Sequence, residues 1–163
     1  MSHEYTYDIS MFRDTFETRF TYLNGFLRNV SRFGSRPALF DPRSGRRWTY
    51  RELNAEANRL AHALRADGVG KNDVVMFTLL NSPEFVFCYL AAHKIGAIAC
   101  PVNYRQGAGE IALVIDDSTP KAFVYDAEFG ELSGGALDLC ESKPAIKIVV
   151  GADDAVPAGQ VRY

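Results

Sequence analysis

The sequence predicts an α/β protein: an incomplete doubly wound, mostly parallel sheet with helices on both faces, preceded by an N-terminal helix and a β-hairpin. Three observations predict it. Four short apolar runs are separated by helical stretches after residue 72, and that alternation is the pattern of strand–helix–strand units. The run DVVMFTLL is continuously apolar, which suits a parallel strand covered on both faces rather than one half in water. Right-handed crossovers between such strands place helices on both sides of the sheet.

Each element has its own justification. The first ten residues are polar, and fraying is expected there. Phe12, Phe16, Phe20, Leu23, Leu27 and Val30 recur at steps of three and four, which predicts one helix face ending near Gly34. RPALFD and RRWTY flank the turn PRSG and read as a hairpin. Thr49 and Glu52 have capping-box spacing, and Leu53, Ala57, Leu60, Ala61 and Leu64 form the apolar stripe of the helix that follows, with Gly68 as its stop. Ser82 and Pro83 suit the N-cap and first position of the next helix, Glu84 complements its dipole, and Gly96 closes it. AIACPV is then a strand, GEIALVIDDS a short helix, KAFVYD a strand, FGELSGGALDLCES a weaker helix and AIKIVVG the last strand. The tail from residue 152 is polar and small. It offers no helix to cover that strand, so the layer is expected to be part of something larger, with an open apolar side prone to self-association or a homodimer.

Composition narrows the function. A chain of 163 residues has the length of about one domain. A net charge of −2 supplies no basic footprint for nucleic acid and no overall attraction to anionic membranes. No apolar run reaches the roughly 20 residues of a transmembrane span. The N-terminus has neither the basic nor the apolar region of a signal peptide. Cys88, Cys100 and Cys140 are odd in number and lack C-x-x-C spacing, so reduced thiols and a cytoplasmic location are expected. GVGKND leads into a strand instead of a helix, so it reads as a turn and not a phosphate loop. GAG at 107–109 lacks a third glycine for a dinucleotide fingerprint. His62 and His93 have no partner at metal-ligand spacing, and Asp116 and Asp117 are adjacent, so both read as solvated helix-end carboxylates. No catalytic or metal-binding residue is assigned, and the residues alone describe no self-contained active site.

The order and spacing of WTYRELN, NSPEF and HKIGAIACPVN, within residues 36–126, resemble the beginning of the adenylate-forming (AMP-binding) enzymes, which include acyl-CoA synthetases, luciferases and peptide-synthetase adenylation domains. NSPEF and PVNYR are more similar to the acyl-CoA synthetase, or fatty-acid–CoA ligase, branch. The resemblance implies that residues 1–163 are the N-terminal portion of the large AMP-binding domain, with the phosphate loop and C-terminal domain outside them. It implies a parent that joins a small-molecule carboxylate to coenzyme A, using ATP and Mg²⁺ through an acyl-adenylate, and a segment that is inactive alone and holds none of these groups. It also implies that Asn103, Tyr104 and Arg105 border the coenzyme A entrance, where a guanidinium fork suits a phosphate. QGAGE departs from the family's usual Leu-Thr-containing helix entry there. The alternatives are a self-contained nucleotide- or partner-binding α/β module, a non-catalytic assembly fragment, and a related adenylation enzyme that does not use coenzyme A.

Overall fold

The computed structural model describes residues 8–151 and 161–162. Among the described residues six α-helices and seven strands follow one another, in the expected alternation from β3 to β6 and with β7 beyond the strand expected to be last: α1 (Ile9–Phe12), α2 (Tyr22–Phe33), β1 (Pro37–Phe40), β2 (Arg47–Thr49), α3 (Tyr50–Ala66), β3 (Val74–Thr78), α4 (Pro83–Ile95), β4 (Ile98–Pro101), α5 (Ala108–Ser118), β5 (Ala122–Asp126), α6 (Gly130–Leu139), β6 (Ile146–Val150) and β7 (Val161–Arg162). β1 and β2 form the antiparallel hairpin. The other five form one parallel sheet in the order β4-β3-β5-β6-β7.

The strand pleat sorts the core into two layers. Val75, Phe77, Val124 and Ile148 face α2, α3 and α4, together with Trp48 from the hairpin. Met76, Phe123, Tyr125 and Val149 face α5 and α6. Successive side chains point to opposite faces, so a run that is apolar at every position is what two covered faces require.

The local signals in the middle of the chain act as their chemistry suggests. The Thr49 amide donates to Glu52 Oε2 at 2.8 Å, and the Glu52 amide donates to Thr49 Oγ1 at 3.2 Å. All five predicted stripe residues of α3 are buried. Gly96 ends α4 at φ 74°, in the left-handed region, with Lys71 packed against it. GVGKND is a turn: the Gly70 amide donates to Asp73 Oδ2, which also accepts from Lys121 Nζ.

The capping box gives an expected result. Thr49→Ala lowers stability by about 1 kcal/mol, read as a shift in denaturant midpoint. The Thr49 amide and hydroxyl hold the Glu52 carboxyl below its ordinary value. A depressed folded-state value means that this contribution is present above the unfolded carboxyl's range and is lost as pH falls through the folded value. Stability of Glu52→Gln is therefore less steep on the acid side than that of the parent; an unchanged slope contradicts the assignment.

Three expectations are corrected. The N-terminal apolar periodicity does not make one helix: α1 runs into a π-helical turn (Arg13–Arg19), the chain breaks at Phe20, and Thr21 caps α2 by accepting from the Asn24 amide. Phe12, Phe16, Phe20 and Leu27 on the expected buried face are exposed. Asp116 is not simply solvated; its Oδ1 accepts from the Glu141 and Ser142 amides at 2.9 and 2.8 Å, tying the end of α5 to the loop after α6. The last long strand is not open, because Ile148, Val149 and Val150 are buried. Most of the large exposed apolar side chains lie instead between Ile9 and Phe40, with Ile98, Leu113 and Leu139 exposed elsewhere. The expected fraying of the first ten residues falls mostly on residues outside those described, as does most of the tail.

Candidate functional site

The carboxyl edge of the parallel sheet is the place to look for a site. α4 leaves β3 over one face and α6 leaves β5 over the other. Loops that diverge in this way open a crevice at the strand ends, where open α/β sheets bind ligands. β3 ends at Thr78, β4 at Pro101 and β5 at Asp126.

Asn103, Tyr104 and Arg105 form the exit from β4. The Val102 amide donates to the Phe77 carbonyl at 2.9 Å, extending the pairing with β3 one residue beyond the strand. Asn103 then turns the chain: its Oδ1 accepts from the Arg105 amide at 3.0 Å, and its carbonyl accepts from the Gln106 amide at 3.1 Å. An asparagine that bonds its own backbone two residues on is a turn device, so Asn103 shapes the loop. Gly107 opens α5, with its amide donating to Glu110 Oε2 at 2.8 Å. The unusual QGAGE entry is thus a glycine N-cap closed by a glutamate three residues on.

Tyr104 stacks on Phe129, with ring centroids 4.8 Å apart and planes 8° from parallel. Phe129 ends a single 3₁₀ turn (Ala127–Phe129) that Asp126 caps through the Glu128 amide. β4 and β5 flank β3 in the sheet, so this stack joins the two loops on either side of the central strand. The Arg105 guanidinium lies 5.3 Å from the Tyr104 ring centroid. Arg105 is exposed and makes no ion pair among the described residues. The three residues singled out from sequence therefore form one turn: Asn103 sets it, Tyr104 anchors it, and Arg105 presents a positive charge to solvent.

The polar groups behind this edge carry no local sequence signal. Thr78 is fully buried with no hydrogen-bond partner for its Oγ1 among the described residues, and Ser133 on α6 is in the same state. Ser82 holds the N-cap position of α4, but its hydroxyl makes no capping bond. Beside it, a cleft of about 240 Å³ is lined by Asn81, Ser82, Pro83 and Phe85 and by the hairpin residues Phe40 and Asp41. A larger cavity of about 580 Å³ lies away from the sheet edge, between α2, the hairpin, α3 and α4.

Burial raises the thiol values of Cys88 and Cys100, which keeps both protonated and poor as nucleophiles. Among the described residues no group of three or more His, Cys, Asp or Glu side chains is placed to hold a metal ion.

Comparison with known proteins is consistent with this geometry. A family model described as AMP-binding enzyme matches residues 26–162. The chain is 43% identical over 107 residues to a 3-hydroxybenzoate–CoA/4-hydroxybenzoate–CoA ligase of Thauera aromatica, covering 66% of this chain and 20% of that protein. It is 40% identical over 116 residues to the long-chain-fatty-acid–CoA ligase FadD13 of Mycobacterium tuberculosis, covering 71% and 23%. Among solved structures it is similar to the anthranilate CoA ligase AuaEII in complex with anthranoyl-AMP, with a TM-score of 0.78, 25% identity and coverage of 85% and 26%. It is also similar to the N-terminal domain of FACL13 from Mycobacterium tuberculosis, with a TM-score of 0.70, 27% identity and coverage of 85% and 32%. The chain thus spans about a fifth of the length of the curated relatives it matches.

Proposed function

Because this chain belongs to the AMP-binding enzyme family, we propose that it forms the N-terminal portion of the large domain of an ATP-dependent carboxylate–CoA ligase. The observation that carries the reading is the match over residues 26–162, together with relatives that are themselves CoA ligases. These relatives favour a coenzyme A user over an adenylation enzyme without one, and over a self-contained module. In the complete reaction a carboxylate oxygen attacks the α-phosphorus of ATP, taken with Mg²⁺, and pyrophosphate leaves. The thiol of coenzyme A then adds to the acyl carbon, loses its proton, and AMP leaves with the bonding pair. Positioning and neutralisation of phosphate charge dominate such steps.

Within that reaction the β4 exit borders the approach of coenzyme A. Asn103 fixes the turn, Tyr104 holds it against Phe129, and Arg105 meets a phosphate of the nucleotide part. No helix among the described residues is long and apolar enough to cross a membrane, and a cytoplasmic ligase is the placement proposed.

The test is carboxylate-dependent ATP–pyrophosphate exchange and coenzyme A thioester formation by the full-length protein that carries this segment. The named relatives act on hydroxybenzoates and on long-chain fatty acids, so the panel spans aromatic, short, medium and long acids. Exchange and thioester formation are expected with at least one class, and neither with residues 1–163 alone. Activity of the isolated chain above a no-protein blank overturns the assignment of the segment. Absence of exchange with every acid overturns the ligase reading.

A further inference from the structure

The last turn of α4 holds a cation that is only partly in water. α4 leaves the carboxyl end of β3 and runs back to the start of β4, so its last turn lies at the amino edge of the sheet, opposite the β4 exit. Lys94 in that turn is half-buried. Its Nζ donates to Asn54 Oδ1 at 2.7 Å and lies 5.8 Å from the Phe26 ring centroid. It makes no ion pair among the described residues. Burial holds the Lys94 ammonium below its ordinary value. A partly desolvated charge whose hydrogen-bond partner is a neutral amide is costly to keep, and an anion seated beside it offsets that cost.

A cleft of about 270 Å³ opens beside this ammonium, where α2, α3 and α4 meet. Asn58, His62 and Arg65 line it from α3. They stand at i, i+4 and i+7, so one helix face delivers all three side chains. Arg65 is exposed and makes no ion pair among the described residues. Leu23 and Leu27 of α2 and Ile95 of α4 supply an apolar wall. No acidic side chain is among the described residues that line the cleft.

We propose that this cleft binds a small organic anion: a single carboxylate carried on a short apolar tail. Two cations without carboxylate partners, one of them a guanidinium fork, match the two oxygens of the head group. The Asn58 amide and a ring N–H of His62 add neutral donors beside them. Methylenes laid against Leu23, Leu27 and Ile95 leave water, which favours a ligand with a tail over a bare ion. The volume falls just under the usual range for pockets that hold drug-sized ligands, which keeps the occupant small. The sign of the lining charge disfavours a metal cation, and inorganic phosphate leaves the apolar wall unused.

The test is a nuclear magnetic resonance titration of the isotope-labelled 163-residue chain with three probes: octanoate, octyl glucoside with the same tail and no charge, and inorganic phosphate. Octanoate is expected to bind saturably, with the largest shifts at the Leu23, Ala61 and Ile95 amides. The other two probes bind at least about tenfold more weakly. Lys94→Gln and Arg65→Gln remove a charge and keep a hydrogen-bonding amide, and each weakens octanoate by about tenfold or more. Leu27→Gln weakens it through the apolar wall. Arg43→Gln, in the turn between β1 and β2, leaves it unchanged. No saturable binding of octanoate overturns the proposal. So does equal binding of octyl glucoside or of phosphate, or an unchanged affinity in both charge variants. Should the variants unfold, the wild-type chain still decides: shifts centred on Leu23, Ala61 and Ile95 support the proposal, and shifts centred on Ala38 and Leu39, in the larger cavity, overturn it.

Discussion

Phe77→Ala is expected to destabilise the fold by about 3–5 kcal/mol, the range for removing a fully buried aromatic ring and leaving a cavity. Phe77 is 0% exposed in the central strand β3, paired with Pro101 of β4 and Val124 of β5. Its ring meets Phe85 edge-on at 5.0 Å and Tyr89 at 6.1 Å. Its carbonyl accepts the amide that starts the β4 exit. Covalent continuity and sheet pairing on both sides limit collapse around the lost ring, which favours the upper half of the range. Against a total of about 5–15 kcal/mol for a domain, the loss leaves the sheet marginal. Urea unfolding followed by far-ultraviolet circular dichroism measures it as a lower midpoint. Leu113→Ala, at a residue 70% exposed on α5, changes stability by no more than about 0.5 kcal/mol. A loss under about 1 kcal/mol for Phe77→Ala contradicts the placement of β3 at the centre of the core.

Much of this core was legible because its signals are local. Thr49 and Glu52 are three residues apart and need only each other. Leu53, Ala57, Leu60, Ala61 and Leu64 follow a helical period that the buried face of α3 obeys. The unbroken apolar run of β3 declared a strand with two covered faces before any partner was known. The N-terminal helix was misread because periodicity continues across its break. Phe16 and Phe20 keep the step of four, yet Phe20 leaves the helix and Thr21 starts another. The signal lay in Thr21 itself, an N-cap residue just ahead of an apolar repeat.

The candidate site was legible in part. PVNYR marked the loop that leaves β4, and Asn103 could be read as a turn former. Its anchoring could not: Tyr104 meets Phe129 across a helix and a strand, and no local pattern encodes that meeting. The same holds for Asp116 with the Glu141 and Ser142 amides.

Arg105→Ala, in the full-length protein that carries this segment and with the two proposed half-reactions measured separately, tests the central claim most directly. Arg105 follows the turn that Asn103 sets, is exposed, and has no carboxylate partner among the described residues. A charge-assisted hydrogen bond to a phosphate is worth about 1.5–3 kcal/mol, and about 1.4 kcal/mol is tenfold. The KM for coenzyme A should therefore rise by about one to two decades, while carboxylate-dependent pyrophosphate exchange, which needs no coenzyme A, stays unchanged. Equal loss in both half-reactions, or no loss in either, contradicts the placement of the β4 exit on the coenzyme A side.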